Sequence, residues 1–130
     1  MQQQDASQGL EGRKRLLLVD DQDNVRAFYK SYLEHHGYSV LVAANGREAL
    51  ELAMANSLQA AVLDCEMPEM SGHELARELR HIHPWVPIVM VSGRDDIPPD
   101  VLSSVDAFVS KRLGGQPLLA ALRRVLGSSA

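Results

Sequence analysis

The chain has 130 residues, 45% of them apolar, with 13 Lys and Arg against 17 Asp and Glu for a formal charge of −4. That length suits one domain and that apolar content one core, which excludes a disordered chain. The acidic balance gives no electrostatic support for nucleic-acid binding. The single cysteine, Cys65, excludes an intrachain disulfide framework or a cysteine zinc cluster, and no apolar run approaches the ~18 residues of a membrane span. The opening MQQQDASQGLEGRKR lacks the apolar centre of a secretory signal, so a cytoplasmic location is expected.

Residues 1–14 are polar and read as a flexible tail, with Arg13, Lys14 and Arg15 a solvated lead-in to the first strand, and 15–130 read as the domain. Short apolar runs then recur: Leu16–Val19 ending at Asp20, Ser39–Ala43 ending near Asn45-Gly46, Ala60–Leu63 ending at Asp64, Ile88–Val91 ending at Ser92, and Ala107–Val109 ending at Ser110-Lys111. Continuous rather than alternating runs suit parallel strands covered on both faces. Helix-period stretches lie between them. Val25, Phe28, Tyr32 and Leu33 form one face, stopped by Gly37; Ala49, Leu50 and Ala53 form a second. Ser71-Gly72-His73-Glu74 reads as a capping box before Leu75, Leu79 and Ile82, and that helix ends before Pro84. Pro98-Pro99 allows only a short fourth helix, over about Pro99 to Ser104. The last carries Pro117 in its first turn, with Leu118, Leu119, Leu122, Val125 and Leu126 inward. Five strand–helix units predict an α/β fold with a doubly wound, five-stranded parallel sheet.

Polar residues follow the strand ends: Asp20-Asp21, Asp64, Ser92 and Lys111. In such a sheet, ligands bind outside the carboxyl ends of the strands. If the strand order is 2-1-3-4-5, the strands bearing these residues are neighbours about 4.8 Å apart, and the groups converge. Carboxylates so crowded repel; two charges at ~4 Å cost roughly 4 kcal/mol at an effective dielectric of about 20. A bound proton or a cation relieves that, and hard oxygen donors with open positions suit Mg²⁺. A serine hydroxyl and a lysine ammonium beside the metal are what a phosphoryl group needs, and an Asp carboxylate can serve as its nucleophile.

LLLVDDQ, VLDCEMPEMSG, IVMVSG and FVSKR, in this order from about Arg15 to Leu126, resemble the signature blocks of response-regulator receiver domains of two-component and phosphorelay signalling, the CheY-like family. Asp64 with Met67-Pro68 and Gly72 is the most specific block. The resemblance implies the flavodoxin-like strand order 2-1-3-4-5. It implies Asp64 as phosphoacceptor, and Asp20, Asp21, Asp64 and the backbone carbonyl of Glu66 around Mg²⁺, with Asp20 acting through water. It also implies Ser92 as switch hydroxyl, Phe108 as aromatic switch and Lys111 as phosphate contact. The implied donor is a sensor histidine kinase or histidine phosphotransfer protein. A downstream protein target docks on the face of helix 4, strand 5 and helix 5, which phosphorylation remodels. Such a domain catalyses only its own phosphorylation and dephosphorylation and is not otherwise an enzyme. It contacts no nucleic acid directly, does not insert into membranes, and leaves a homodimer open. With no effector domain after the fifth helix, output passes through a partner or through a longer protein.

Three features depart from the family pattern. Arg112 stands where a proline usually follows the lysine; a cis bond to a non-proline costs roughly 2.5–4 kcal/mol, so a trans Lys111–Arg112 bond is expected, with Gly114-Gly115 absorbing the altered path. Helix 4 is short. Ser104-Val105-Asp106 replaces the usual Gly-Ala before strand 5. Glu66 and Arg94, each two residues past a site residue, are placed to pair across the pocket mouth. Cys65 reads as a small buried apolar residue, the five histidines as solvated helix surface, Met67 and Met70 as loop packing, and Trp85 with Pro87 as cover for the start of strand 4. Two rival functions remain. One is a pseudo-receiver that binds partners without phosphorylation. The other is a haloacid-dehalogenase-like phosphatase, with Asp21-Gln22-Asp23 as its acidic motif and Asp21 as nucleophile.

Overall fold

The computed structural model describes residues 12–127. The tail reading for residues 1–11 therefore falls outside the described residues. The strands are β1 (Arg15–Val19), β2 (Ser39–Ala43), β3 (Ala60–Asp64), β4 (Ile88–Ser92) and β5 (Ala107–Ser110). The helices are α1 (Asp23–His35), α2 (Gly46–Ala55), α3 (Gly72–Ile82), α4 (Pro99–Ser103) and α5 (Gln116–Val125), with a 3₁₀ turn at Lys111–Leu113. All strand pairs are parallel, in the order β2-β1-β3-β4-β5. Among the described residues, no helix is long and apolar enough to cross a membrane.

Side chains alternate along each strand, so the sheet builds two cores. Leu16 and Leu18, Ala60 and Val62, Val89 and Val91, and Ala107 and Val109 face α1 and α5, meeting Tyr29, Leu33, Leu118, Leu119 and Leu122. Leu17, Val19, Ala61, Leu63 and Ile88 face α2 and α3, meeting Ala49, Ala53, Leu75, Ala76 and Leu79. β3 and β4 are buried at every position, as their uninterrupted apolar spelling requires.

Local chemistry sets the helix ends. Ser71 Oγ accepts from Glu74 N at 3.2 Å, and Glu74 Oε1 accepts from Ser71 N at 3.0 Å, completing the capping box. Asn45 Oδ1 caps α2 by accepting from Glu48 N at 2.9 Å. Gly37, at φ +100°, follows α1 in the left-handed region that favours glycine. α4 has five residues beginning at Pro99, with none of them buried.

Two expectations are corrected. The inner face of α1 carries Tyr29 and Leu33, whereas Phe28 is 50% exposed; Tyr29 lies four residues from both Val25 and Leu33, the spacing that stacks side chains on one helical face. Trp85 is 92% exposed and covers nothing. It sits in the turn that His83 closes by accepting Val86 N into its carbonyl. The histidines also do more than face solvent. His83 Nε2 lies 2.7 Å from the Ala53 carbonyl, joining α3 to α2, and His73 Nδ1 lies 3.2 Å from Ser104 Oγ. Asp106, the last residue of the Ser104-Val105-Asp106 run before β5, accepts Ile88 N at 2.8 Å and pairs with Arg80 at 3.1 Å.

Gly72 couples the fold to the site. A side chain there would collide with the Asp64 carbonyl oxygen, and its own N–H donates to the Cys65 carbonyl at 3.0 Å. Gly72→Ala should cost about 1–3 kcal/mol, the usual range for overpacking. Urea unfolding of the variant should show a lower midpoint with an unchanged slope.

Candidate phosphoacceptor site

Asp20 follows β1, Asp64 ends β3 and Lys111 follows β5. Each lies two residues past a core residue facing α1 and α5 (Leu18, Val62 and Val109), so all three turn to that side at the carboxyl edge of the sheet. Asp20 is fully buried and Asp64 nearly so. Lys111 Nζ lies 3.0 Å from Asp20 Oδ2 and 3.1 Å from Asp64 Oδ1, and donates to Gln22 Oε1 at 3.2 Å. Its three N–H donors thus face three acceptors.

The backbone holds the acids in place. Gln22 N donates to Asp20 Oδ1 at 2.9 Å, and Arg26 Nη1 donates to the Asp20 carbonyl at 2.8 Å. Glu66 N donates to Asp64 Oδ1 at 3.3 Å. A cleft of about 230 Å³ opens here, lined by Asp21, Gln22, Asp64, Glu66, Gly93 and Lys111. Asp23 points away, paired with Arg26 at 2.6 Å and 90% exposed, which argues against an Asp21-Gln22-Asp23 catalytic motif.

Not every expected residue lines the cleft. Ser92 is fully buried behind it, its Oγ accepting Arg94 N at 3.0 Å. Phe108 lies on an outer groove with Leu113, Pro117 and Arg124, away from the acids. Glu66 and Arg94 do pair across the mouth, at 3.1 Å, and Arg94 also holds Asp96 at 2.8 Å. Among the described residues no peptide bond is cis, so Lys111–Arg112 is trans. The path is reshaped by the 3₁₀ turn, by Ser110 Oγ accepting Arg112 N, and by Gly114 at φ +79°. Arg112 reaches Asp95 at 2.5 Å, tying the loop after β4 to the turn after β5. The sequence reading passed over two residues: Gln22, third acceptor for Lys111, and Asp95, partner of Arg112. Only Gln22, next to Asp20-Asp21, carried a local signal.

Burial is the largest cause pushing the Asp64 carboxyl up to about 7; the Asp20 charge adds to it and Lys111 opposes it. Burial alone would lower the Lys111 ammonium, but Asp20 and Asp64 outweigh it and the net shift is upward. Cys65 is half-buried rather than buried as read from the sequence, because it stands just past the end of β3 at the sheet edge; partial burial, then Glu66 and Asp64, push its thiol up. One lysine therefore does not neutralise the site. Carboxylate oxygens of Asp20, Asp21 and Asp64 lie within 4.8 Å of one another. This hard-oxygen set, short of positive charge and open to solvent at Asp21, fits a divalent cation such as Mg²⁺.

The model of the response regulator receiver domain family matches residues 16–123. The chain belongs to the response regulator receiver domain family. It is 36% identical over 115 residues to the response regulator MprA of Mycolicibacterium vanbaalenii, covering 86% of this chain and 50% of that protein. The receiver domain thus spans about half the length of that curated relative. A CheY-like receiver domain from Methanospirillum hungatei superposes with a TM-score of 0.82 at 29% identity, covering 89% of this chain and 95% of the other. The response regulator TrrA of Thermotoga maritima, solved with Mg²⁺-BeF, gives 0.80 at 31% identity, covering 86% and 98%. TrrA has also been solved in complex with the histidine kinase ThkA.

A carboxyl held near 7 in the folded state binds more protons than in the unfolded chain between about pH 4 and 7, so its contribution to stability falls as pH rises through that window and levels off above it. Without divalent cations, Asp64→Asn should be the more stable form at pH 7.5, by about 5 °C in Tm. The difference should shrink towards pH 4.5. Thermal melts of both proteins in EDTA across that range check this.

Proposed function

We propose that this receiver domain takes a phosphoryl group onto Asp64 from a phosphohistidine of a sensor histidine kinase or a histidine phosphotransfer protein. The observation that carries the reading is the Lys111 ammonium set between two buried carboxylates, 3.0 and 3.1 Å away, at the floor of an open cleft. TrrA, 31% identical, binds both the Mg²⁺-BeF pair and a histidine kinase, which supports the same chemistry and class of partner here.

In this reading Asp21 and Asp64, with the Glu66 carbonyl, would hold Mg²⁺ directly and Asp20 would act through water. When bound, the ion supplies the positive charge that Lys111 alone does not. The Asp64 carboxylate attacks phosphorus; an O–P bond forms, the P–N bond to the donor imidazole breaks, and the imidazole leaves with the electron pair. Lys111 stabilises charge on the phosphoryl oxygens. Ser92 turns its hydroxyl to donate to a phosphoryl oxygen, drawing the loop after β4 inward. Phe108 then turns, and the face of α4, β5 and α5 changes for a downstream protein target. Glu66 and Arg94 border the approach of water. The domain works in the cytoplasm, turns over no separate substrate, and reaches nucleic acid only through others; a homodimer is a further form of output.

Lys111 lies in the pocket despite the following Arg112, which favours this reading over a pseudo-receiver. With Mg²⁺ and acetyl phosphate, intact mass should show one base-labile phosphoryl group, absent in Asp64→Asn and without Mg²⁺. Lys111→Ala should slow its appearance on the order of 100-fold, the scale of losing one preorganised charge-stabilising group. No gain in the wild type, together with no beryllofluoride binding, would overturn the proposal in favour of the pseudo-receiver.

A further inference from the structure

After Ser92 the chain leaves the core: none of residues 93–103 is buried, α4 included. Arg94 N–H makes a local bond to Ser92 Oγ. Beyond it, two ion pairs are the polar contacts that tie this stretch to other elements among the described residues. They start from adjacent residues and run in opposite directions. Arg94 reaches Glu66, in the loop after β3, at 3.1 Å. Arg112 Nη2, in the turn after β5, holds both carboxylate oxygens of Asp95, at 2.5 and 2.6 Å. A segment with little buried surface opens at low free-energy cost, so a few contacts decide where it lies.

The sheet order gives these directions a meaning. β4 runs between β3 and β5, with Asp64 beside Val91 on one side and Ser110 beside Ser92 on the other. A phosphoryl group on Asp64 that recruits the Ser92 hydroxyl draws the loop after β4 towards β3. The Arg94–Glu66 pair lies on that side and persists through the movement. The Asp95–Arg112 pair holds the same loop towards β5 and opposes it.

We propose that the Asp95–Arg112 pair is a latch that keeps the loop after β4 in its unphosphorylated position and raises the threshold for switching. The role rests on the phosphoacceptor reading above. Neither residue lines the cleft, so the latch acts on the position of the loop and not on the phosphoryl group.

Both side chains are exposed, so Asp95→Ala and Arg112→Ala leave the fold intact. Beryllofluoride with Mg²⁺, as a phosphoryl mimic, should bind each variant about threefold more tightly than the wild type, within the reach of one exposed ion pair acting on a population. The direction is diagnostic. A simple charge effect on an anionic ligand would tighten binding in Asp95→Ala and weaken it in Arg112→Ala, whereas release of a latch tightens both. The double variant should bind no more tightly than either single one, and the exchanged pair, Asp95→Arg with Arg112→Asp, should return to the wild-type affinity. About 0.5 M salt should remove most of the difference. A nitrogen-15 spectrum of the free proteins supplies a readout that needs no ligand: Arg112→Ala should shift the amides of residues 93–96, across the gap between the two loops, and the exchanged pair should restore them. Unmoved amides would overturn the latch, as would opposite effects of the two single variants or additive effects in the double. If the wild type binds no beryllofluoride, the phosphoacceptor reading fails, and the amide shifts alone decide whether the pair holds the loop.

Discussion

Two carboxylates buried under one ammonium dominate this molecule. Asp20 and Asp64 sit at the ends of adjacent strands, β1 and β3, and both face α1 and α5. Neither is free to turn to solvent, because the sheet edge fixes their backbones and Gln22, Arg26 and Glu66 anchor them locally. Crowded charge in a desolvated place leaves three outcomes: a proton is taken up, a counter-ion enters, or the fold gives way. Lys111 is a partial answer: burial, and after it the Asp20 charge, still push the Asp64 carboxyl up to about 7 against its pull.

The rest of the architecture serves that placement. A parallel sheet buried on both faces delivers five strand ends to one edge, and its uninterrupted apolar strands hold them in register. Gly72 lets α3 start against the backbone of Asp64, and the Ser71–Glu74 box fixes that start. Around the mouth, exposed ion pairs join the loops: Glu66 with Arg94, and Asp95 with Arg112. The second pair stands in the turn where the family usually has a proline, and Lys111 still reaches both acids. Exposed pairs of this kind weaken with salt. Lys111 in this chain is thus anchored by its own contacts to Asp20, Asp64 and Gln22 more than by the turn that follows it.

The sequence carried the strands and most helix ends well, since run length, capping residues and prolines act locally. Leu16–Val19 and Ala107–Val109 gained one residue each in β1 and β5; the short fourth helix lost only Ser104. It carried the acids of the site for the same reason: each directly follows, or ends, an apolar run. What it did not carry depends on residues far apart in the chain. Periodicity did not choose between Phe28 and Tyr29, adjacent aromatics about 100° apart on the helix; packing into the core shared by the sheet, α1 and α5 did. Asp95 and Arg112 are ordinary loop charges until two loops meet. His83 and Trp85 read as helix surface and strand cover, yet one bridges α3 to α2 while the other stands in solvent. Ser92 and Phe108 follow the family register, and both lie off the cleft wall in this conformation.

The central claim is that the Asp20–Asp21–Asp64 cluster is an electrostatic deficit that a divalent cation relieves. The most direct measurement is Mg²⁺ binding at pH 7.5 by titration calorimetry, on the wild type, Asp21→Asn and Asp64→Asn. One ion per chain should bind the wild type with release of protons, because Asp64 is partly protonated when the pocket lacks a cation, and both variants should bind at least tenfold more weakly. Mg²⁺ binding of equal strength in all three proteins, or none in the wild type, would contradict the account.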